Sequence, residues 1–342
     1  MAKFKSKDVI LLTKAQTVEG TPAVPVAADA VLATEISYKD TIMKDTQIYL
    51  GDSLSHDEEN VITDHYAELN ASVFMPARGV DTGLTTIADF LWQDWFEAVG
   101  GACSIAGVTP AKIITITNAT ATTTLLTQQF RASSNDVVTQ KLYEVYDALG
   151  TVDFSVEITK RAMLKFAMKG NYSLPEQATA IVADYGTQRA IAAGIVNSSN
   201  ILTAELTGLV GGFTHTGDAG TVKNICFTKL DAANLFGYTV DRFQTSCQTT
   251  FDKETVPSDV SITVLEKEAI ALGSESATAY DPYNHLEDVH EFTLKWGTAQ
   301  GGFVSVHFSK LQLVDISDTK VNNFAGKDLK FRNIGHVTIK LS

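Results

Sequence analysis

Polar and apolar residues alternate along much of this chain in short runs, most clearly around two glycine turns. Residues 141–147 and 151–160 alternate on either side of Ala148-Leu149-Gly150. Residues 290–296 and 303–310 do the same on either side of a Gly-rich turn from Gly297 to Gly302. A period of two marks a half-buried strand, and two such runs about a glycine turn predict a β-hairpin. The two predicted hairpins lie roughly 150 residues apart, the size of one ordinary domain. The chain therefore reads as two similar β-rich units in series.

Other runs fill in around them. Strands are predicted at 9–12, at 31–36, at 69–75 before Pro76, at 112–130 and at 163–170. Leu174-Pro175 closes the first unit, residues 1–175. The pattern weakens over 176–221, which reads as a connector with a short helix within 180–193. A second unit, 222–342, resumes with runs at 222–227, 238–240, 260–264, 311–313 and 329–331 and a terminal strand at 337–341. Gly20, Pro22 and Pro25 keep an N-terminal arm extended. The polar stretch 39–64, with Asp52, His56, Asp57, Glu58 and Glu59, reads as a solvated loop or the tip of a long hairpin, and as a candidate subunit contact. Its acids lack the spacing of a calcium loop.

One helix stands out. Leu84, Ile87, Leu91, Trp95 and Ala98 share a face, Asp81 or Thr82 can cap it, and Gly100-Gly101 stop it. Phe90, Trp92 and Phe96 widen the apolar stripe, so the helix must lie across a sheet or be covered by a neighbouring subunit. Its counterpart in the second unit is a weak one, around 265–272. The expected fold is mainly β: two barrel or sandwich units in tandem, each with a flanking helix.

Composition narrows the function. The chain has 342 residues, 44% hydrophobic and 20% charged, and a net charge of −13. That balance argues against a grip on nucleic acid, which draws on clustered Lys and Arg, though an acidic wall suits a surface that nucleic acid must pass. Three scattered cysteines make neither a disulfide framework nor a zinc site and fit assembly in a reducing cytoplasm. The apolar run after the basic start is too short for a signal peptide, and none approaches a membrane span. There is no P-loop, GxSxG or HExxH motif. His285 and His290 are spaced wrongly for one helix face and read as solvated residues leading into a strand. No enzyme, metal or cofactor is expected.

Three stretches together resemble the major tail tube proteins of long-tailed bacteriophages. They are the arm over 14–22 with 27–32, the segment 142–175 (Tyr143-Glu144-Val145-Tyr146-Asp147, Gly150, Val156-Glu157-Ile158, Lys165-Phe166, Gly170-Asn171-Tyr172, Pro175), and 292–331 with Gly326 and Leu329-Lys330-Phe331. The resemblance implies β units joining edge to edge into rings, and rings stacking into a hollow tube that conducts DNA from a virion to its host. The implied partners are other copies of the chain, the tape-measure, tail-terminator and distal tail proteins, and DNA in transit. Two units per chain would make a trimeric ring with pseudo-sixfold symmetry; a hexamer with an external second half is the alternative. Glu144, Asp153, Glu157 and Glu291, on the polar faces of the predicted hairpins, are the candidate channel-lining acids. The 51–60 loop, the arm and the C-terminal strand are candidates for ring-to-ring contacts. A surface binding module for carbohydrate or protein, and a type VI secretion-like tube component, are the competing readings.

Overall fold

Most of the alternating runs do form strands, because β-branched and aromatic residues at every second position suit a pleated surface with one buried face. The computed structural model describes residues 9–50, 56–75, 86–87, 90, 92–107, 112–119, 124–133, 138–158, 160–185, 201–207, 222–225, 227–244, 249–265, 280–296 and 304–341. In the N-terminal half the elements are β1 (Val9–Ala15), β2 (Ala30–Val31), β3 (Glu35–Leu50), β4 (His56–Phe74), the helix α1 (Gln93–Ala98), β5 (Gly101–Ala106), β6 (Ile113–Asn118), β7 (Leu126–Ser133), β8 (Thr139–Glu157) and β9 (Met163–Thr179). The rest are β10 (Ile201–Thr207), β11 (Val222–Asn224), β12 (Phe227–Ala233), β13 (Tyr238–Gln244), β14 (Thr249–Thr255), β15 (Ser258–Leu265), β16 (Val289–Trp296), β17 (Val304–Val321), β18 (Phe324–Asn333) and β19 (Val337–Leu341).

Every ladder among the described residues is antiparallel. One run of neighbours is β2–β1–β7–β8–β9–β4–β3. A second is β8–β12–β15–β18–β17–β16–β10–β11. Two long strands allow the branching. β8 pairs with β7 through its first half and with β12 through residues 154–157. β17 pairs with β19 through 304–308 and with β18 through 311–321, and β19 continues to β6 and β5. The first run curls until Tyr38 on β3 packs against Phe130 and Tyr143 on β7 and β8. The β13–β14 hairpin lies over its outer face, with Val240 and Phe251 on Leu149.

The β8–β12 and β6–β19 ladders join residues before 175 to residues after 222. The two stretches also share one core, in which Trp95, Phe96, Phe154 and Phe166 belong to the same cluster as Phe236, Phe292, Phe308 and Phe331. Full burial of one such side chain is worth about 1.5–3 kcal/mol.

Several expectations need correction. The first predicted hairpin is a single strand: β8 runs 19 residues straight through Ala148-Leu149-Gly150. Gly150 serves close approach rather than a turn, since a Cβ there would run into the Ala167 carbonyl oxygen and the Met168 sulfur. The break in alternation that mimics a turn is a β-bulge, where the register against β9 shifts between Tyr146 and Leu149 and Asp147 takes a φ of 51°. The second predicted hairpin is real, with Trp296 opposite Val304. Pro175 does not end its strand: β9 continues to Thr179, and the proline sits at a second bulge, where no ladder N–H is required. The expected connector contributes β10, an interior strand between β11 and β16, and residues 180–185 are not helical.

The helix is also shorter than its periodicity suggests. It spans six residues, and the chain enters it through i→i+3 bonds from Phe90 N to Ile87 O and from Gln93 N to Phe90 O. Leu84, Leu91 and the expected caps lie outside the described residues, as does the predicted helix at 265–272 except for Leu265 in β15. Gly100 ends the helix at a φ of 94°, pressed against the Tyr238 ring.

Candidate functional site

The four acids read as channel-lining all face away from the core, but they do not form one cluster. Asp153 and Glu157 lie on the outer face of β8, opposite the buried Phe154 and Val156. Asp153 accepts a hydrogen bond from the Asn234 backbone N–H at 2.8 Å, and Glu157 pairs with Lys160 at 2.7 Å. The neighbouring strands extend that face with alternating charge. Lys229 stands opposite Glu157 and pairs with Asp231, Thr263 donates to Asp328 at 2.6 Å, and Lys330 pairs with Asp315 at 2.8 Å. The Lys330 ammonium holds the Asp315 carboxyl below the usual range. Exposed pairs of this kind add little stability, and they make the face mixed in sign rather than acidic.

Glu144 lies on the outer face beyond the β8 bulge. It accepts hydrogen bonds from Gln129 Nε2 at 2.8 Å and Ser173 Oγ at 3.1 Å, next to Arg131, whose pKa burial draws down. Glu291 is on β16, five strand pairings from β8. There it favours the charged form of His307, but burial dominates and lowers that histidine's pKa. His307 Nδ1 lies 2.9 Å from Thr293 Oγ1.

Of the expected contact loop, Asp52 lies outside the described residues. His56, Asp57, Glu58 and Glu59 are not loop residues but the start of β4, paired with residues 47–50 of β3. The polar stretch is thus strand on both sides because two facing strands satisfy each other's backbone groups. β4 meets β9 only from Ala67 onward, so residues 56–66 pair with β3 alone among the described residues. At about 3.3 Å per residue, this two-stranded ribbon extends about 35 Å past the last β4–β9 pair. At its base Arg242 of β13 pairs with Asp64 and lies over the Tyr66 and Phe251 rings at 5.5 and 5.6 Å.

The helix residues are used inside the chain. Trp92, Trp95 and Phe96 are buried, and all three pack on Phe166, with Trp95 closest at 4.8 Å between ring centres. Ile87 packs at the edge of the same core. The C-terminal strand does not offer a free edge either, because β19 is paired on both sides, with β17 and β6. His285 and His290 are not solvated: both are buried, His285 stacked on the Tyr280 ring and His290 edge-on to it, and His285 Nδ1 is 2.9 Å from Asp288. Among the described residues no group of acids, histidines and cysteines could hold a metal ion, and no helix is long and apolar enough to cross a membrane.

A feature missed in the sequence is the mooring of the N-terminal arm. Asp147, buried in the β8 bulge, accepts from Gln16 Nε2 at 3.0 Å and Gly20 N at 2.8 Å through one oxygen, and from Asn171 Nδ2 at 2.9 Å through the other. Its own N–H donates to Gln16 Oε1 at 2.6 Å. An aspartate amid Ala148, Leu149 and Gly150 is the one sequence signal that could have shown it. An open cleft of about 400 Å³ lies elsewhere, between Asn118, Phe236, Tyr238, Pro257, Ser258, Asn333 and His336. No protein-family model matches this chain, and no curated protein matches it.

Proposed function

We propose that this chain is a structural subunit that assembles with copies of itself into stacked rings forming a hollow tube, as in the tail of a long-tailed phage. The observation that best supports this reading is the β3–β4 ribbon. Two strands without a third are marginal in water, and open edges invite pairing with another chain. Ring closure and stacking satisfy such edges by symmetry. The antiparallel, mainly β architecture is compatible with it, as is the resemblance borne by the segments 14–32, 142–175 and 292–331.

Within this reading the tube delivers DNA, and the tape-measure, terminator and distal tail proteins are its further partners. Three chains, each contributing segments 1–175 and 222–342, would make a ring with pseudo-sixfold symmetry. The continuous β8 removes the hairpin repeat as support for that count, which is best measured directly. Electron microscopy of the purified chain should find rings or tubes. Monodisperse particles of single-chain size under all assembly conditions would refute the proposal, and six equivalent outer projections per ring would refute the trimer. The cleft beside Phe236, Tyr238 and His336 favours the second reading, a β-sandwich binding module, and glycan or peptide binding there without rings would establish it.

A further inference from the structure

We propose that the cleft beside Phe236 and Tyr238 is the seat of the β17–β18 turn of a second copy of this chain, entered by Asn323 and Phe324. This contact rests on the self-assembly reading above and joins one layer of copies to the next.

The seat has a defined chemistry. The cleft, about 400 Å³ in volume, is walled by Phe236, Tyr238, Val256, Pro257 and Ile334. The Tyr238 hydroxyl donates to the Ala119 carbonyl at 2.6 Å and fixes the aromatic wall in place. Ser258 and Asn333, opposite each other in the β15–β18 ladder, also line the cleft. Ser258 is 1% exposed and Asn333 6%. Ser258 Oγ has no hydrogen-bond partner among the described residues. Asn333 accepts from Gly335 N at 3.1 Å through Oδ1, and its Nδ2 has no partner among the described residues. Buried polar side chains with unused hydrogen-bonding groups are uncommon and call for an explanation. A free hydroxyl and a free amide N–H beside apolar walls suit a carboxamide attached next to an apolar group. The carboxamide oxygen can accept from Asn333 Nδ2, and its N–H can donate to Ser258 Oγ.

The chain presents that chemistry at the far end of the same strand. β18 starts at Phe324, directly after Asn322-Asn323, and ends at Asn333 in the cleft. Val321 pairs with Phe324 across the two-residue turn, and both asparagines take left-handed φ, 48° and 70°. Phe324 is 69% exposed at this tip. Paired on both sides, with β15 and β17, β18 is a stiff spacer that holds turn and cleft about 30 Å apart, at about 3.3 Å per residue. No Lys, Arg, Asp or Glu lines the cleft, and none lies within 321–326. Copies of net charge −13 can therefore meet there without bringing like charges into contact. A knob and a complementary pocket at separate places on one chain make a head-to-tail contact, which propagates from copy to copy.

The full-length chain tests this in two ways. Phe324→Ser, at an exposed position, should leave the thermal midpoint unchanged and abolish higher-order species in sedimentation. Asn323→Asp keeps the left-handed turn but puts a charge in place of the amide donor, and should raise the concentration at which those species form about tenfold or more. Either variant assembling like the parent overturns the proposal. Mixing the Ala325→Cys and His336→Cys variants, which keep Phe324 and the apolar walls, under mild oxidation by diamide should give a disulfide-linked pair that neither gives alone. Stacked rings without that pair overturn this contact and leave the tube reading standing. The pair without rings supports the contact and overturns the tube, and the absence of both overturns both.

Discussion

Removing the Asp147 carboxylate tests whether a single buried acid both shapes the β8 bulge and moors the N-terminal arm. Asp147→Ala takes the acceptor from three donors, Gln16 Nε2, Gly20 N and Asn171 Nδ2, spaced 2.8–3.0 Å from it. Hydrogen bonds to a charged group contribute about 1.5–3 kcal/mol each, but the arm can detach and recover water, so the losses do not sum. Alanine also meets a backbone φ of 51°, which costs it about 1–2 kcal/mol. A net loss of about 3–4 kcal/mol is expected, a large part of the ~5–15 kcal/mol that stabilises a typical domain. Asp147→Asn tolerates the same φ and keeps one acceptor, so it should lose about half as much. Asp147→Gly relieves the backbone but not the donors and should fall between the two. The assay is urea unfolding followed by tryptophan fluorescence, with trypsin cleavage at Lys14 as the local readout. An alanine variant within about 0.5 kcal/mol of the parent, with Lys14 equally protected, would refute the reasoning.

Three further outcomes follow from the same structure. Gly150→Ala should lose about 1–3 kcal/mol by thermal unfolding, since its Cβ meets the backbone oxygen of Ala167; a neutral result would refute the close-approach argument. Lys253 donates to the Glu97 carbonyl at 3.0 Å, and burial pushes its pKa down from 10.5 to about 8. The unfolded chain then binds more protons between those values, so Lys253 makes stability rise as pH climbs through that window. Relative to Lys253→Met, the parent should gain in urea midpoint between about pH 7 and about pH 10, and a constant difference would contradict the burial argument. Gln128 is fully buried with no hydrogen-bond partner for either side-chain atom among the described residues. Gln128→Leu should therefore stabilise by about 1–2 kcal/mol, and a loss of similar size would point to a bridging water that the leucine displaces.

The candidate residues were legible to different depths. Asp153 and Glu157 could be placed on the outer face from the sequence, since Phe154 and Val156 between them leave only one way to bury the strand. The mixed sign of that face could not, because Lys229, Asp231, Asp315 and Lys330 reach it from strands far along the chain. The ribbon was legible only as a polar stretch that suited either a solvated loop or the tip of a long hairpin. A segment whose residues are mostly polar gives no apolar alternation to read.

Local periodicity by itself determined that this chain is a β protein and where most strands lie, because a residue's side of a strand depends only on its neighbours in sequence. It also determined the inward residues of β15 and β19, whose alternation is unbroken. Only the tertiary structure decided which strands meet, since β1 with β7, β8 with β12 and β6 with β19 are paired by contacts across tens to hundreds of residues. It also decided what a glycine is for. Gly150 looks like a turn residue in sequence, and whether a missing Cβ serves a turn or the close approach of Ala167 depends on a strand that sequence cannot position. The predicted tandem hairpins rested on that single point.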